Sequence, residues 1–361
     1  MILPILIFIL TLLVLVLIHE FGHFLMAKKF GIKVEEFGFG IPPRVWGKKI
    51  GETLYSINLL PLGGFVKLQG EDEVGGIPKD SNRDFRGKPV WQRIVVVVAG
   101  VVMNLVLAWI IFYSLLIYSN FRIIYPTIES GAFIGGVEEG FPAKDAGIVV
   151  GDRVLKVDGK DVKAWEDART FIKEKNGKEV VLILSDLEGK NTREVTVTPK
   201  ETDGDYLIGV VFSPIGIKEY KTTQEKIFSG ITYSWDLTKL TFAGFSKLIK
   251  DLTGGDIKTA SESVSGPIGL ANVSTNILSG GREALPFYAW FVGVISLTLS
   301  IFNVLPIPAL DGGRLLFLLI EATFRKKVSE KIETAVHQIG FIVLIGLVIL
   351  VTYSDISKLI H

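Results

Sequence analysis

Residues 2–23 read ILPILIFILTLLVLVLIHEFGH, and Ile2 to Ile18 carry no charge before the run closes on His19-Glu20-Phe21-Gly22-His23. From Leu3 to Ala27 the stretch is 25 residues long, enough at about 1.5 Å per residue to cross a hydrocarbon core of about 30 Å. Ionisable groups inside such a span cost about 2.5–3.5 kcal/mol each, so they are kept where they do chemistry. Histidines four apart on a helix lie on one face, about 40° out of register, close enough to share a metal ion. A glutamate between them can act as base on a water that the metal activates. The chain has four histidines, and two of them fall in this motif.

The composition narrows what surrounds it. The 361 residues suggest two or three domains, and 48% hydrophobic residues with a mean hydropathy of +0.43 point to several spans joined to a soluble portion. A net charge of +1 gives no case for nucleic-acid binding. Cysteine is absent, so a zinc ion would have to use His, Asp or Glu. The N-terminus has neither a basic leader nor a small-residue cleavage site, and reads as a retained span.

Three more apolar runs are long enough to span: Ile94 to Tyr118, with Asn104 its one strongly polar side chain; Ala284 to about Pro306; and Ile339 to Tyr353, extendable toward Ala335. Segment 28–93 holds twelve Lys or Arg, and Arg325-Lys326-Lys327 with Lys331 stand between spans three and four. Positive charge on short connections marks the cytoplasmic side. Both ends of the chain and the long 120–282 region are therefore expected outside. The His19–His23 motif then lies toward the inner end of span one, and a third ligand is expected at similar depth.

At the inner end of span three stands Asn303-Val304-Leu305-Pro306-Ile307-Pro308-Ala309-Leu310-Asp311-Gly312-Gly313. Two prolines two apart cannot continue a regular helix. Broken backbone at membrane depth is tolerated only inside protein or along a polar cavity. Asp311, presented from such a break, completes a His₂Asp set with a fourth position open, as in catalytic zinc sites. His337, near the inner end of span four, is the competing candidate, but it has no break or turn chemistry around it.

The motifs H-E-F-G-H in span one and N-x-x-P-x-P-x-L-D-G-G in span three resemble those of the site-2 protease family of intramembrane zinc metalloproteases. The nearest pattern is the bacterial branch that activates envelope-stress sigma factors. The resemblance covers the whole chain. It implies Zn2+ held by His19, His23 and Asp311, Glu20 as general base, and Asn303 as a residue that helps hold substrate or transition state. The family's usual Ala-Gly-Pro-x-x-Asn in span two is here Ala99-Gly100-Val101-Val102-Met103-Asn104, without the proline.

Residues 34–68 are too apolar for an ordinary loop and too broken for a span, and Tyr55 to Leu59 alternates as a strand does. The resemblance implies a small sheet dipping into the membrane beside the site. A helical substrate must unwind before water can reach its peptide bonds, and a sheet edge can take the unwound stretch by strand addition. Gly38, Phe39 and Gly40 are the candidate substrate-binding residues, the glycines allowing close backbone approach.

Gly140 to Ile148 and Gly151 to Lys160 resemble a PDZ domain of the bacterial envelope-protease type, with a helix at Asp167 to Glu174 and strands at Val180 to Leu184 and Glu194 to Thr198. Such a domain would bind an extended peptide or C-terminus, or act as a steric filter. Thr223 to Leu252 is amphipathic and is expected to lie on the outer membrane face.

The expected fold is a membrane α-helical bundle of four transmembrane helices with a membrane-associated β element and an inserted α+β PDZ domain. The expected divisions are 1–28, 29–93 (cytoplasmic side, with the β element), 94–118, 119–216 (PDZ), 217–283 (amphipathic), 284–324 and 325–361. The expected activity is a zinc endopeptidase in the bacterial inner membrane that cuts single-span membrane proteins, such as a pre-trimmed anti-sigma factor or remnant signal peptides. The competing readings are a zinc transporter, which would need ligands along a path through the bilayer, and a PDZ adaptor, which would leave Glu20 unexplained.

Overall fold

The computed structural model describes residues 2–71, 82–126, 131–138, 140–186, 191–202, 205–212, 215–255 and 264–360. They form two compact units, Met1–Leu115 with Gly230–His361, and Leu116–Ser229.

In the first unit, α1 (Ile2–Lys29) ends on Lys28 and Lys29, cations that suit the negative end of the helix dipole. Gly31 then takes φ +70°, and the Ile32 N–H returns to the Ala27 carbonyl at 2.9 Å. Only a residue without a Cβ adopts that left-handed turn freely. The chain enters a long hairpin, β1 (Val34–Ile50) and β2 (Thr53–Leu68), closed by the two-residue turn Gly51-Glu52. Its pairing is unusual. Phe37 lies opposite both Tyr55 and Val66, Gly38 opposite both Ser56 and Phe65, and Phe39 opposite both Ile57 and Gly64. The first half of β1 is therefore enclosed by two stretches of β2, while Arg44 to Ile50 pairs with Asn58 back to Thr53. Gly64–Leu68 is left as an outer edge, with no further strand on it among the described residues. The hairpin turn is tied down by Glu52, which takes Lys28 at 2.7 Å and Arg83 at 2.5 Å. Next comes α2 (Val90–Tyr118), which continues unbroken through Val101.

The second unit holds β3 (Arg122–Pro126), β4 (Ala132–Val137), α3 (Pro142–Asp145), β5 (Arg153–Val157), β6 (Lys160–Asp161), α4 (Trp165–Lys173), β7 (Val180–Ser185), β8 (Thr192–Val197), β9 (Lys200–Thr202), β10 (Asp205–Leu207), β11 (Val210–Phe212) and β12 (Ile215–Glu219). Its main sheet runs β11-β4-β5-β7-β8, with β6 paired to β5. Inward residues of β5 and β7, among them Val154, Val157, Leu182 and Leu184, bury against Ala168 and Ile172 of α4. This is the one-face burial that a half-solvated antiparallel sheet requires.

The chain returns through α5 (Thr223–Thr253), α6 (Pro267–Ser279), α7 (Leu285–Val304), α8 (Asp311–Phe324) and α9 (Glu330–Ile360). Among the described residues, four helices are long and apolar enough to cross a membrane: Leu3–Lys29, Val90–Tyr118, Leu285–Val304 and Lys331–Lys358. The fourth extends well beyond the Ile339–Tyr353 core that its apolar run suggested.

α2 and α7 pack closely. Gly293 leaves room for the Phe112 ring, and Ser296 and Ser300 donate across to the carbonyls of Asn104 (2.8 Å) and Val101 (3.1 Å). Small residues and bridging hydroxyls are how spanning helices approach one another without a hydrophobic driving force. Arg93, in the first turn of α2, grips Glu321 of α8 with both terminal nitrogens, at 3.0 and 2.6 Å.

The part of α5 within the first unit runs beside α7. Trp290 donates to the Tyr233 hydroxyl at 2.8 Å, and twelve residues on in both helices the Phe245 and Phe302 rings meet edge to face at 6.1 Å. Equal steps along both helices mean a parallel course of about 18 Å. Tyr233 and Leu237 are the buried apolar residues of this stretch, while Ile231, Trp235 and Phe242 stay exposed.

Candidate metal and active site

The site starts from a crossing of α1 and α2. A side chain at Gly22 would collide with the Ala99 carbonyl, so the two backbones touch there. One residue on, a Cβ at Gly100 would overlap the His23 ring and press on His19, at 2.9 Å from its Cε1. The two imidazoles therefore occupy space that only glycine leaves open. The His23 Nδ1–H donates to the Val96 carbonyl at 2.8 Å, which fixes the tautomer and leaves the Nε2 lone pair free.

Asp311 reaches this pair from a break between α7 and α8. After Val304 the chain passes Pro306 and Pro308, turns left-handed at Ala309 (φ +75°), and restarts as a helix at Asp311. A Cβ at Gly312 would run into the Leu305 carbonyl, and one at Gly313 would lie 2.7 Å from the Ile307 carbonyl oxygen. The two glycines let the break fold back on itself. The expected presentation of Asp311 from a bend after Pro-x-Pro is what the chain does.

The three side chains converge. Asp311 Oδ2 lies 2.9 Å from His19 Nε2 and 3.1 Å from His23 Nε2, and the two Nε2 atoms are 3.2 Å apart. A tetrahedral zinc with arms of about 2.05 Å has ligand-to-ligand edges of about 3.3 Å. Asp311 Oδ2 is buried and makes no hydrogen bond among the described residues. Three electron-rich atoms facing one another suit a cation between them, and the donor set fits zinc. No other His, Asp or Glu among the described residues joins this group.

Glu20 lies beside the convergence and lines a cavity of about 310 Å³ together with His23, Asp311, Arg314, Glu71 and Phe65 to Leu68 of β2. Gly64 is the start of that edge, and a Cβ there would sit 3.7 Å from Glu20 Cγ. Across the cavity, Arg314 is paired with Glu71. A glutamate, a group of side chains that fits a metal ion and an open sheet edge thus share one hollow, an arrangement able to hydrolyse an extended peptide.

Other expected residues are placed differently. Gly38, Phe39 and Gly40 do not form the edge beside the site: Gly38 and Phe39 are paired on both sides, Gly40 approaches the Leu60 and Asn58 carbonyls, and none lines the cavity. The glycines serve close approach, but to β2 itself. The strand facing Glu20 is Gly64–Leu68, and its Leu-Gly-Gly-Phe start was the available signal. Asn303 is the penultimate residue of α7 and does not line the cavity either. His337 stands outside the ligand cluster, its Nδ1 accepting the Ala309 N–H at 3.0 Å.

The model of peptidase family M50 matches residues 7–347. A protein of Clostridium perfringens named as a zinc metalloprotease is 36% identical over 344 residues, covering 95% of each chain. RasP of Bacillus subtilis, named a regulator of sigma-W protease, is 29% identical over 428 residues, covering 96% of each. Among solved structures, the PDZ domain of an SdrC-like protein from Listeria monocytogenes matches 24% of this chain and 93% of its own, at 20% identity and a TM-score of 0.21, too slight to define the insert. With the match running along almost the whole sequence, the chain belongs to peptidase family M50, the site-2 protease family of zinc metalloproteases.

Proposed function

We propose that the chain is an endopeptidase that cuts single-span membrane proteins within or near the bilayer, with His19, His23 and Asp311 as zinc ligands and Glu20 as general base. The observation that carries this reading is the shared hollow: Glu20, His23, Asp311 and the Phe65–Leu68 edge line one cavity. When bound, zinc supplies a Lewis acid that makes water a competent nucleophile near neutral pH. Glu20 takes a proton from that water and returns it to the leaving amine. The Gly64–Leu68 edge holds the unwound substrate by main-chain hydrogen bonds, so that a scissile bond lies extended beside Glu20. Val96 keeps His23 in the ligating tautomer through its carbonyl.

The place of the machinery supports this substrate class. His19 and His23 lie on a helix apolar enough to span, and the Gly64–Leu68 edge lies beside Glu20 of the same helix, which supports a substrate that arrives through the bilayer or along its surface. RasP acts on a sigma-factor pathway by its name, and a membrane-anchored anti-sigma factor is the corresponding substrate proposed here. We place both ends and the 119–216 insert outside the cell and the site near the cytoplasmic face, from the positive charge on segments 28–93 and 325–331. The insert is read as a PDZ domain. The cleft between Trp165, Arg169 and Ile172 of α4 and the β11 strand, about 270 Å³, supports capture of an extended peptide there.

The test is a reconstituted cleavage assay on a tagged single-span protein, read by mass spectrometry. Cleavage by the wild type, lost with chelation and reduced about 10²- to 10⁴-fold in Glu20→Gln with zinc retained, is the expected result. Undiminished turnover by Glu20→Gln would refute the assignment of the base.

A further inference from the structure

His337 is the one histidine of the described residues left without a role by the site as built, and its surroundings are specific. It stands on α9, the fourth candidate span, yet its ring reaches the break that carries Asp311. On one side of Asp311, the Ala309 N–H donates to His337 Nδ1 at 3.0 Å. On the other side, a Cβ at Gly313 would stand 3.1 Å from His337 Cε1, and the Phe317 ring packs on the imidazole at 5.8 Å between centroids. The imidazole thus touches the chain two residues before the ligand and two residues after it.

The backbone it touches holds itself only in part, through the Ile307 N–H to the Leu305 carbonyl at 2.6 Å and the Leu310 N–H to the Ile307 carbonyl at 3.2 Å. Ala309 has φ +75°, a conformation that residues with a Cβ avoid. Pro306 and Pro308 have no N–H to donate within the break. The Ala309 N–H is therefore one of few donors that can fix the turn, and its acceptor comes from another helix. A second contact brings α9 to the same place: Gly340, three residues on from His337, lies so close to Pro308 that a side chain there would collide with it. Elsewhere α9 is largely exposed, and no residue of its most apolar 18-residue window is buried. Its inner end is anchored where Asp311 is delivered.

We propose that His337 is a positioning residue for the metal site: by accepting the Ala309 N–H and filling the space over Gly313, it holds Asp311 at the distance at which its Oδ2 meets His19 and His23. His337 acts through the backbone and touches neither substrate nor metal. The inference rests on the reading of His19, His23 and Asp311 as zinc ligands.

The test uses the full-length protein in detergent, stripped of metal and titrated with zinc against a competing chelator, with cleavage kinetics run alongside. His337→Leu keeps the bulk and removes the acceptor; it is expected to weaken zinc binding by about 10- to 100-fold and to lower kcat with little change in KM. His337→Asn places an amide oxygen near the position of Nδ1 and is expected to stay close to wild type in both. If His337→Leu does not fold, His337→Gln, whose acceptor lies one bond too far out, takes its place with the same expectation. Wild-type zinc affinity in His337→Leu, or in His337→Gln when that replaces it, would overturn the proposal. So would a His337→Asn variant as impaired as the one lacking the acceptor. Zinc bound by the wild type and lost in Asp311→Ala, but kept without the His337 acceptor, sinks this inference alone. A wild type that binds no zinc sinks the reading of the site with it.

Discussion

Gly100 and His23 share one volume: a methyl group on the glycine of α2 would overlap the imidazole of α1. Metal sites are usually described by their ligands, yet here the position of a proposed ligand is set by a residue with no side chain. Its neighbour Ala99 meets Gly22 in the same crossing, so that the two helices are spaced by glycine on both sides.

The first prediction follows. Overpacking a tight contact costs about 1–3 kcal/mol. Gly100→Ala should therefore bind zinc about 5- to 150-fold more weakly, as that cost moves His23 off its position. Gly346→Ala, at a position with nothing within 4 Å, is the matched control and should leave affinity unchanged. Equal affinities for the two variants in a chelator competition would show that the ring has room to spare.

A second prediction concerns the sheet edge. Successive backbone N–H groups along a strand point to opposite sides. Of Val66→Pro and Lys67→Pro, one removes a donor on the open side of β2 while leaving the ladder to β1 intact. That variant should bind zinc normally and lose at least about tenfold in kcat/KM on a membrane substrate, from the loss of strand-addition hydrogen bonds. Full activity in both would mean that substrate is held elsewhere.

The insert offers a prediction in pH. Asp158 occupies the first place of the two-residue Asp158-Gly159 turn between β5 and β6, with φ of +47° and +81°, the geometry favoured by Asp-Gly hairpins. Burial pushes its carboxyl upward, but the Lys175 ammonium at 2.6 Å and the Val181 N–H at 2.8 Å outweigh it, and the net shift is below the ordinary carboxylate value. The folded form then binds the proton less readily than the unfolded chain. The stability it lends is present above the unfolded pKa of about 4 and fades as pH falls through the lowered folded value. The protection of the Val181 amide against exchange, relative to its intrinsic rate at each pH, should fall below about pH 4 in the full chain, and Asp158→Asn should flatten that dependence. Superimposable pH profiles would count against it.

What could be read from the sequence was what is local in the chain. The spans are continuous runs, His19 and His23 are related by helical period, and Asp311 announces itself through the prolines before it. Less was legible where distant segments choose partners. Gly38 to Gly40 have the composition of an exposed edge, but whether a stretch of hairpin lies inside a sheet depends on which part of β2 folds back over it, and no single strand encodes that. The same holds for α5, whose pattern does not single out Tyr233, the residue that meets Trp290 of α7. His337 looked inert because its role lies in a contact 28 residues back along the chain.

The double enclosure of β1 has a consequence for where a substrate would be cut. With Phe37 to Phe39 locked from both sides, the hairpin has no freedom to slide, and Gly64–Leu68 becomes a fixed scale laid against Glu20. Hydrogen-bonding positions along a strand recur every second residue. On the strand-addition reading, a guest chain can therefore shift on this scale only in steps of two. The enzyme would then choose its scissile bond by parity as well as by side-chain preference, a form of specificity written in backbone alone.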